Sequence, residues 1–252
     1  LKAIEEPPEH TVWLLCAPSP EDMIATIRSR CRHLGLRIPT ASAVADLLVR
    51  EGVATPDVVL EAARAAQSHI GLARALARDP QMRERRRAII TAPASVRSVG
   101  EAVMAADRLL ETAKAQADAQ VSERNAREKA ELMRQLGMDE GESATKASRT
   151  MIRQLEEDQK RRSKRALTDA IDRALIDLLA IYRDVLMVQV GGDGELINTD
   201  LSDLVHEIAQ DSTPRQTLAR VDHIETARKR LVSNGNPLLV LEDMAISLRP
   251  QA

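Results

Sequence analysis

Two helical stretches of unusual length constrain what this chain can fold into. Residues 98–136 are helix formers up to Gly137, and a second stretch runs from about residue 144 to Val190, where Gly191-Gly192-Asp193-Gly194 ends it. At 1.5 Å per residue the second stretch alone would reach about 70 Å if unbroken. Between them lies only a polar turn, Met138 to Ser143, which predicts an antiparallel helical hairpin. Leu167, Ile171, Ala174, Leu178, Tyr182 and Val185 recur at helical spacing on the later half of the second stretch. That stripe joins the base of the hairpin to a bundle. The earlier half is nearly all polar and includes the run Lys160-Arg161-Arg162-Ser163-Lys164-Arg165, so the tip is expected to project into solvent.

Composition agrees with a mainly α fold. Aromatic residues are 1% of the 252, with one Trp, one Tyr and no Phe, while 44% are hydrophobic and 29% charged. Ala, Leu, Val and Ile must therefore build the core. An aromatic-rich β-sandwich is excluded, as are nucleic-acid modules that stack bases on aromatic platforms. With 36 Lys+Arg against 38 Asp+Glu, the chain as a whole is no polycation, though a local basic patch is compatible with it. Cys16 and Cys31 cannot build a four-ligand zinc site or a disulfide scaffold by themselves, and they fit a reducing compartment. No run of 18 apolar residues is present. A cytoplasmic location is the expectation.

The shorter helices announce themselves through their starts. Thr55-Pro56, Asp79-Pro80, Thr213-Pro214 and Asn236-Pro237 each pair a capping residue with proline at the first helical position, where its missing N–H costs nothing. They predict helices over 56–68, 80–91, 214–233 and 237–248. Further helices are expected at 21–32, 40–51 (closed by Gly52), 71–78 and 201–210, with a break at Pro93. On the last helix, Leu238, Leu239, Leu241 and Met244 are expected to face inward. Thr11 to Ala17 (TVWLLCA) is the one run that reads as a strand, buried on both faces. A lone strand needs partners, and Leu1-Lys2-Ala3-Ile4-Glu5-Glu6-Pro7-Pro8 reads as the end of a helix stopped by prolines. Both features suggest the C-terminal part of a longer protein, with three regions: 1–38, 39–94 and 95–252.

No Gly precedes Lys, so no phosphate-binding P-loop is present, and neither GxSxG nor HExxH occurs. The histidines at 10, 33, 69, 206 and 223 are scattered surface or boundary positions without metal-ligand spacing. No catalysis is expected from this chain by itself.

The order LK-x-x-EEPP, an apolar strand, then Thr26-Ile27-Arg28-Ser29-Arg30-Cys31 resembles the AAA+ clamp-loader family of the bacterial DNA polymerase III type. Ala25 stands where that family often has Pro, and Cys16-Ala17-Pro18-Ser19 stands where its motor subunits carry a polar sensor residue. His69 to Leu76 (HIGLARAL) resembles the sensor-2 helix of the family's lid, with Arg74 in the sensor place. Asn236, Leu239, Leu241 and Glu242 resemble the last helix of its collar. The charged hairpin at about 110–165 is not typical of the family and reads as an insertion. The Ala/Arg bias suggests a GC-rich genome.

The resemblance implies a remnant of an AAA+ α/β core (one strand), then a small helical lid, then a collar oligomerisation bundle. It implies that Arg30, with Ser29 and Cys31, forms an SRC motif whose arginine serves a neighbouring subunit's ATP in trans, while Cys31 itself packs. Arg74 would be a second, nucleotide-binding arginine. No cofactor would be bound by this chain, the ATP and Mg²⁺ lying at the neighbour's site. Implied partners are the motor (tau/gamma) and delta subunits through the collar, and the sliding clamp and primer–template DNA in the assembly. Such a chain would be part of a nucleotidyltransferase holoenzyme without being its catalyst. Two other readings stand beside this one: a motor subunit or other AAA+ ATPase whose P-loop lies upstream, and a coiled-coil scaffold.

Overall fold

Residues 2–136 and 146–249 are described by the structure, a computed structural model, and the chain divides into two units, Leu1–Thr40 and Ala41–Ala252. The turn expected at Met138 to Ser143 lies outside the described residues.

In the first unit, α1 (Lys2–Glu5) stops before Pro7-Pro8. His10 then takes a left-handed φ of 63° as Thr11 N–H closes a turn onto Pro8 O at 3.1 Å. The strand expected at Thr11 to Ala17 is absent. Those residues are irregular, and Val12 and Leu14 are 82% and 85% exposed. A strand exists through its ladder, and no residue of this segment takes part in one. The helix expected at 21–32 is reduced to a single 3₁₀ turn (Pro20–Asp22) and α2 (Ala25–Arg28). Met23 and Ile24, with ψ of 133° and 141°, are extended and interrupt it.

The second unit is all helical among its described elements. α3 (Ala41–Arg50), α4 (Pro56–Ala65) and α5 (Ile70–Arg78) enclose a small core of Val44, Leu48, Val59, Ala63, Ala73 and Leu76. Gly52, at φ 65°, ends α3 in the left-handed conformation that glycine tolerates best. α6 (Pro80–Ser95) runs through Pro93, correcting the break expected there. The proline sits in the last turn, where one lost hydrogen bond is followed at once by the cap at Val96.

α7 (Val99–Gln135) and α8 (Lys146–Gln189) are the two long helices. They pack antiparallel: Ala117 and Val121 meet Ala166, and farther out Asn125 O accepts from Gln159 Nε2 at 2.9 Å. α9 (Ser202–Asp211), α10 (Pro214–Val232) and α11 (Pro237–Ser247) complete the bundle around Ile171, Leu175, Leu178, Ile181 and Val185 of α8.

Three of the four cap–proline starts act through their side chains. Asp79 accepts from Gln81 N–H at 2.9 Å, Asn236 from Leu238 N–H at 3.0 Å, and Thr213 forms a reciprocal box with Gln216. Thr55 makes no such side-chain bond, although Pro56 still begins α4. On α11 the inner face is Leu241, Met244 and Leu248, with Val240 beside it and Leu238 half-buried. Leu239 is 62% exposed, against expectation, because it lies two residues, or about 200° of helix, from Leu241.

Candidate functional site

Ser29, Arg30 and Cys31 continue the winding of α2 beyond its end: Ser29 N–H donates to Ala25 O, Arg30 N–H to Ile27 O and Cys31 N–H to Arg28 O. Thr26 O becomes the anchor of the group. It accepts from Ser29 Oγ at 3.2 Å and from Arg30 Nη1 at 2.9 Å. Arg30 Nε also lies 3.0 Å from Glu5 Oε1, with the two side chains 44% and 40% exposed. The guanidinium is thus oriented yet accessible. An ion pair so exposed contributes about 0–1 kcal/mol, and a polyanion can displace it. Cys31 is half-buried and Cys16 exposed, both as free thiols.

Arg74 belongs to the second unit and sits in the middle of α5. Its Nε and Nη2 grip both oxygens of Glu51, at 2.9 and 2.8 Å. That bidentate bond pulls the Glu51 carboxyl below its usual range and raises Arg74 above its own. The free amide end of α5 is capped by His69, whose Nδ1 accepts from Leu72 N–H at 3.0 Å. A histidine directly before the first helical residue was the available signal for this role.

The basic run on α8 is partly neutralised. Arg161 lies 3.5 Å from Asp158, Arg162 donates to Asn125 Oδ1 and Glu128 Oε2 on α7, and Lys164 donates to Asn234 Oδ1. Lys160 and Arg165 stay exposed.

Sequence reasoning missed the buried polar network that ties α6 to α8. Arg86 donates to Asp177 Oδ1 at 3.1 Å and to Asn198 Oδ1 at 2.6 Å. Asp184, fully buried, accepts from the Ile197 and Asn198 amides and from Asn198 Nδ2. The small core of α3–α5 meets the bundle through further arginines: Arg83 Nη1 donates to Leu76 O, Arg173 Nη2 to Ala65 O, and Arg64 Nη2 to Glu195 Oε2. Apart from Arg83 and Leu76, the pairs are 91 to 131 residues apart in sequence or join a loop to a helix, and no local pattern exposes them.

Residues 1–40 match a family model described as DNA polymerase III, delta subunit. DNA polymerase III subunit delta' of Escherichia coli (strain K12) is 40% identical over 76 residues, which is 30% of this chain and 23% of the relative. The subunit delta' of Bacillus subtilis (strain 168) is 36% identical over 72 residues, 29% of this chain and 22% of the relative. DNA polymerase III subunit gamma/tau of Mycobacterium tuberculosis (strain ATCC 25618 / H37Rv) is 40% identical over 63 residues, 23% of this chain and 11% of the relative. The matched stretches span less than a quarter of each relative. Over them, the chain is similar to DNA polymerase III subunits of the clamp-loader type.

Proposed function

We propose that this chain works as the delta-prime type of subunit in a bacterial DNA polymerase III clamp loader, a fixed wall that hydrolyses no ATP itself. The observation that carries the reading is Arg30. It is an accessible guanidinium held on the Thr26 carbonyl, inside the 40 residues that match the DNA polymerase III family model.

In this reading Arg30 releases Glu5 and turns its fork toward the phosphate oxygens of a neighbouring subunit's nucleotide. ATP bound there would carry the phosphoryl group, and Mg²⁺ would neutralise its phosphate oxygens. Arg30 stabilises the charge that spreads over it, and Thr26 O holds the guanidinium in aim. Ser29 fixes the turn and Cys31 packs behind it. Arg74 reaches a nucleotide only by giving up Glu51, so its first role is to fasten α5 to the end of α3. The bundle of α6–α11 is the collar through which the motor (tau/gamma) and delta subunits are held, and the assembly acts in the cytoplasm on the sliding clamp and primed DNA.

The gamma/tau relatives favour a second reading, a motor subunit. One preparation separates the two. Full-length protein is mixed with gamma/tau and delta subunits, resolved by size-exclusion chromatography, and assayed for ATPase by itself. The first reading requires a stable complex and no ATP hydrolysis by the isolated protein. Hydrolysis by the isolated protein establishes a motor, and failure to assemble removes both.

A further inference from the structure

A cavity of about 300 Å³ opens among the turn that joins α6 to α7, α8, α9 and α10. Tyr182 and Arg220 line it, 3% and 8% exposed, with the Arg220 guanidinium carbon 5.8 Å from the centre of the Tyr182 ring. The stacked ring is a good seat for a cation, but it supplies no acceptor in the guanidinium plane. Among the described residues no carboxylate or carbonyl accepts from this guanidinium, and the Tyr182 hydroxyl meets no hydrogen-bond partner. Other buried charges in the bundle are paired, Arg86 with Asp177 and Asp184 with Arg183. The donor atoms of Arg220 and Tyr182 are not sealed from solvent: they open onto the cavity, and the arginine stays charged there. Two donors without acceptors on one cavity wall mark a place for an acceptor that the chain does not provide.

The rest of the lining narrows its chemistry. Leu204, Ile208, Leu248 and Pro93 form an apolar wall. Glu207, Asp211 and Arg97 also line the cavity; the two carboxylates are not within ion-pair distance of Arg220, Arg97 donates to Ala94 O, and two carboxylates against two arginines favour a singly charged anion over a doubly charged phosphate. Burial pushes the Tyr182 hydroxyl up to about 12, the Arg220 charge opposing the shift, so at neutral pH it remains a donor. We propose that this cavity binds a single carboxylate carried on a short branched apolar body, with Arg220 and Tyr182 donating to the carboxylate and the leucines and Ile208 enclosing the body. The volume is at the small end for ligand pockets and suits a compact group. The inference does not depend on the clamp-loader reading.

Isothermal titration of the chain tests it, with 4-methylpentanoate as the free acid and, as a second arm, an end-blocked peptide bearing one Glu between two Leu. The amide 4-methylpentanamide and inorganic phosphate serve as controls. Saturable binding of the acid identifies a free ligand, and binding of the peptide alone identifies a carboxylate presented by another chain. Either supports the proposal when the controls do not bind. Arg220→Met should weaken binding about tenfold or more, and Tyr182→Phe should weaken it less. Because Arg220 makes no hydrogen bond or ion pair to another described residue, the thermal midpoint of Arg220→Met should not fall, and the ligand should raise the midpoint of the wild type only. No saturable binding of either probe by folded wild type, tighter binding of phosphate, or equal binding by folded Arg220→Met overturns it.

Discussion

Arg86 and Asp177 meet at 3.1 Å across 91 residues of sequence, each nearly removed from solvent. Their bond locks α6 against α8, and Asn198 completes the coordination of the arginine from the loop after α8. Arg86→Ala leaves the Asp177 carboxylate with Arg173 alone, 2.6 Å away, and takes the donor from Asn198 Oδ1, and should cost about 1–3 kcal/mol by denaturant unfolding. The double substitution R86M/D177L removes both charges but leaves Arg173 with Ala65 O alone, and should recover part of that loss.

Leu241 and Leu239 are neighbours on α11 with opposite fates, the first fully buried and the second 62% exposed. Leu241→Ala should cost about 2–5 kcal/mol, and Leu239→Ala should stay within about 0.5 kcal/mol. In a mixture with partner subunits, Leu241→Ala should also weaken assembly.

Glu61 on α4 shares a cavity with Asp200, and its carboxyl is raised above the usual range, first by burial and then by Asp200. A carboxyl whose folded value is raised binds its proton more tightly in the native state, so stability falls as pH rises through that raised value. Glu61→Gln should therefore be more stable than wild type at pH 7. The advantage should vanish once pH drops below the ordinary glutamate range. Thermal midpoints measured across pH read this directly.

The helices were legible because their signals are local. A cap and a proline at 79–80, 213–214 and 236–237 mark starts by chemistry within three residues, and Gly52 and Gly191 mark ends through a left-handed φ. The stripe from Leu167 to Val185 did find the bundle core. The segment at 11–17 was misread because an apolar run shows the capacity to pair and not the presence of a partner. Arg74 shows what a local pattern leaves out: HIGLARAL places it on a helix, while its partner Glu51 lies 23 residues away. The Arg220 cavity left no trace in the sequence, since its lining comes from α6, α8, α9, α10 and the end of α11.

The outer hairpin is held by surface ion pairs such as Arg162–Glu128 and a small contact of Ala117, Val121 and Ala166. Replacing residues 122–165 with a short Gly-rich turn should leave the unfolding free energy of the bundle nearly unchanged, because exposed pairs contribute about 0–1 kcal/mol each. The truncated protein should still join the loader. Loading on primed DNA should fall modestly at low salt, where exposed Lys160 and Arg165 can reach phosphates, and should match wild type at high salt.

Arg30 decides the functional account. A loader reconstituted from full-length subunits with Arg30→Ala in this chain should assemble normally and stimulate normally at every step before hydrolysis. Its steady-state ATPase should nevertheless drop, because loss of an arginine finger costs about 10³–10⁵ at the site it serves while the remaining sites continue to turn over. Wild-type ATPase turnover in a fully assembled Arg30→Ala complex would contradict the account.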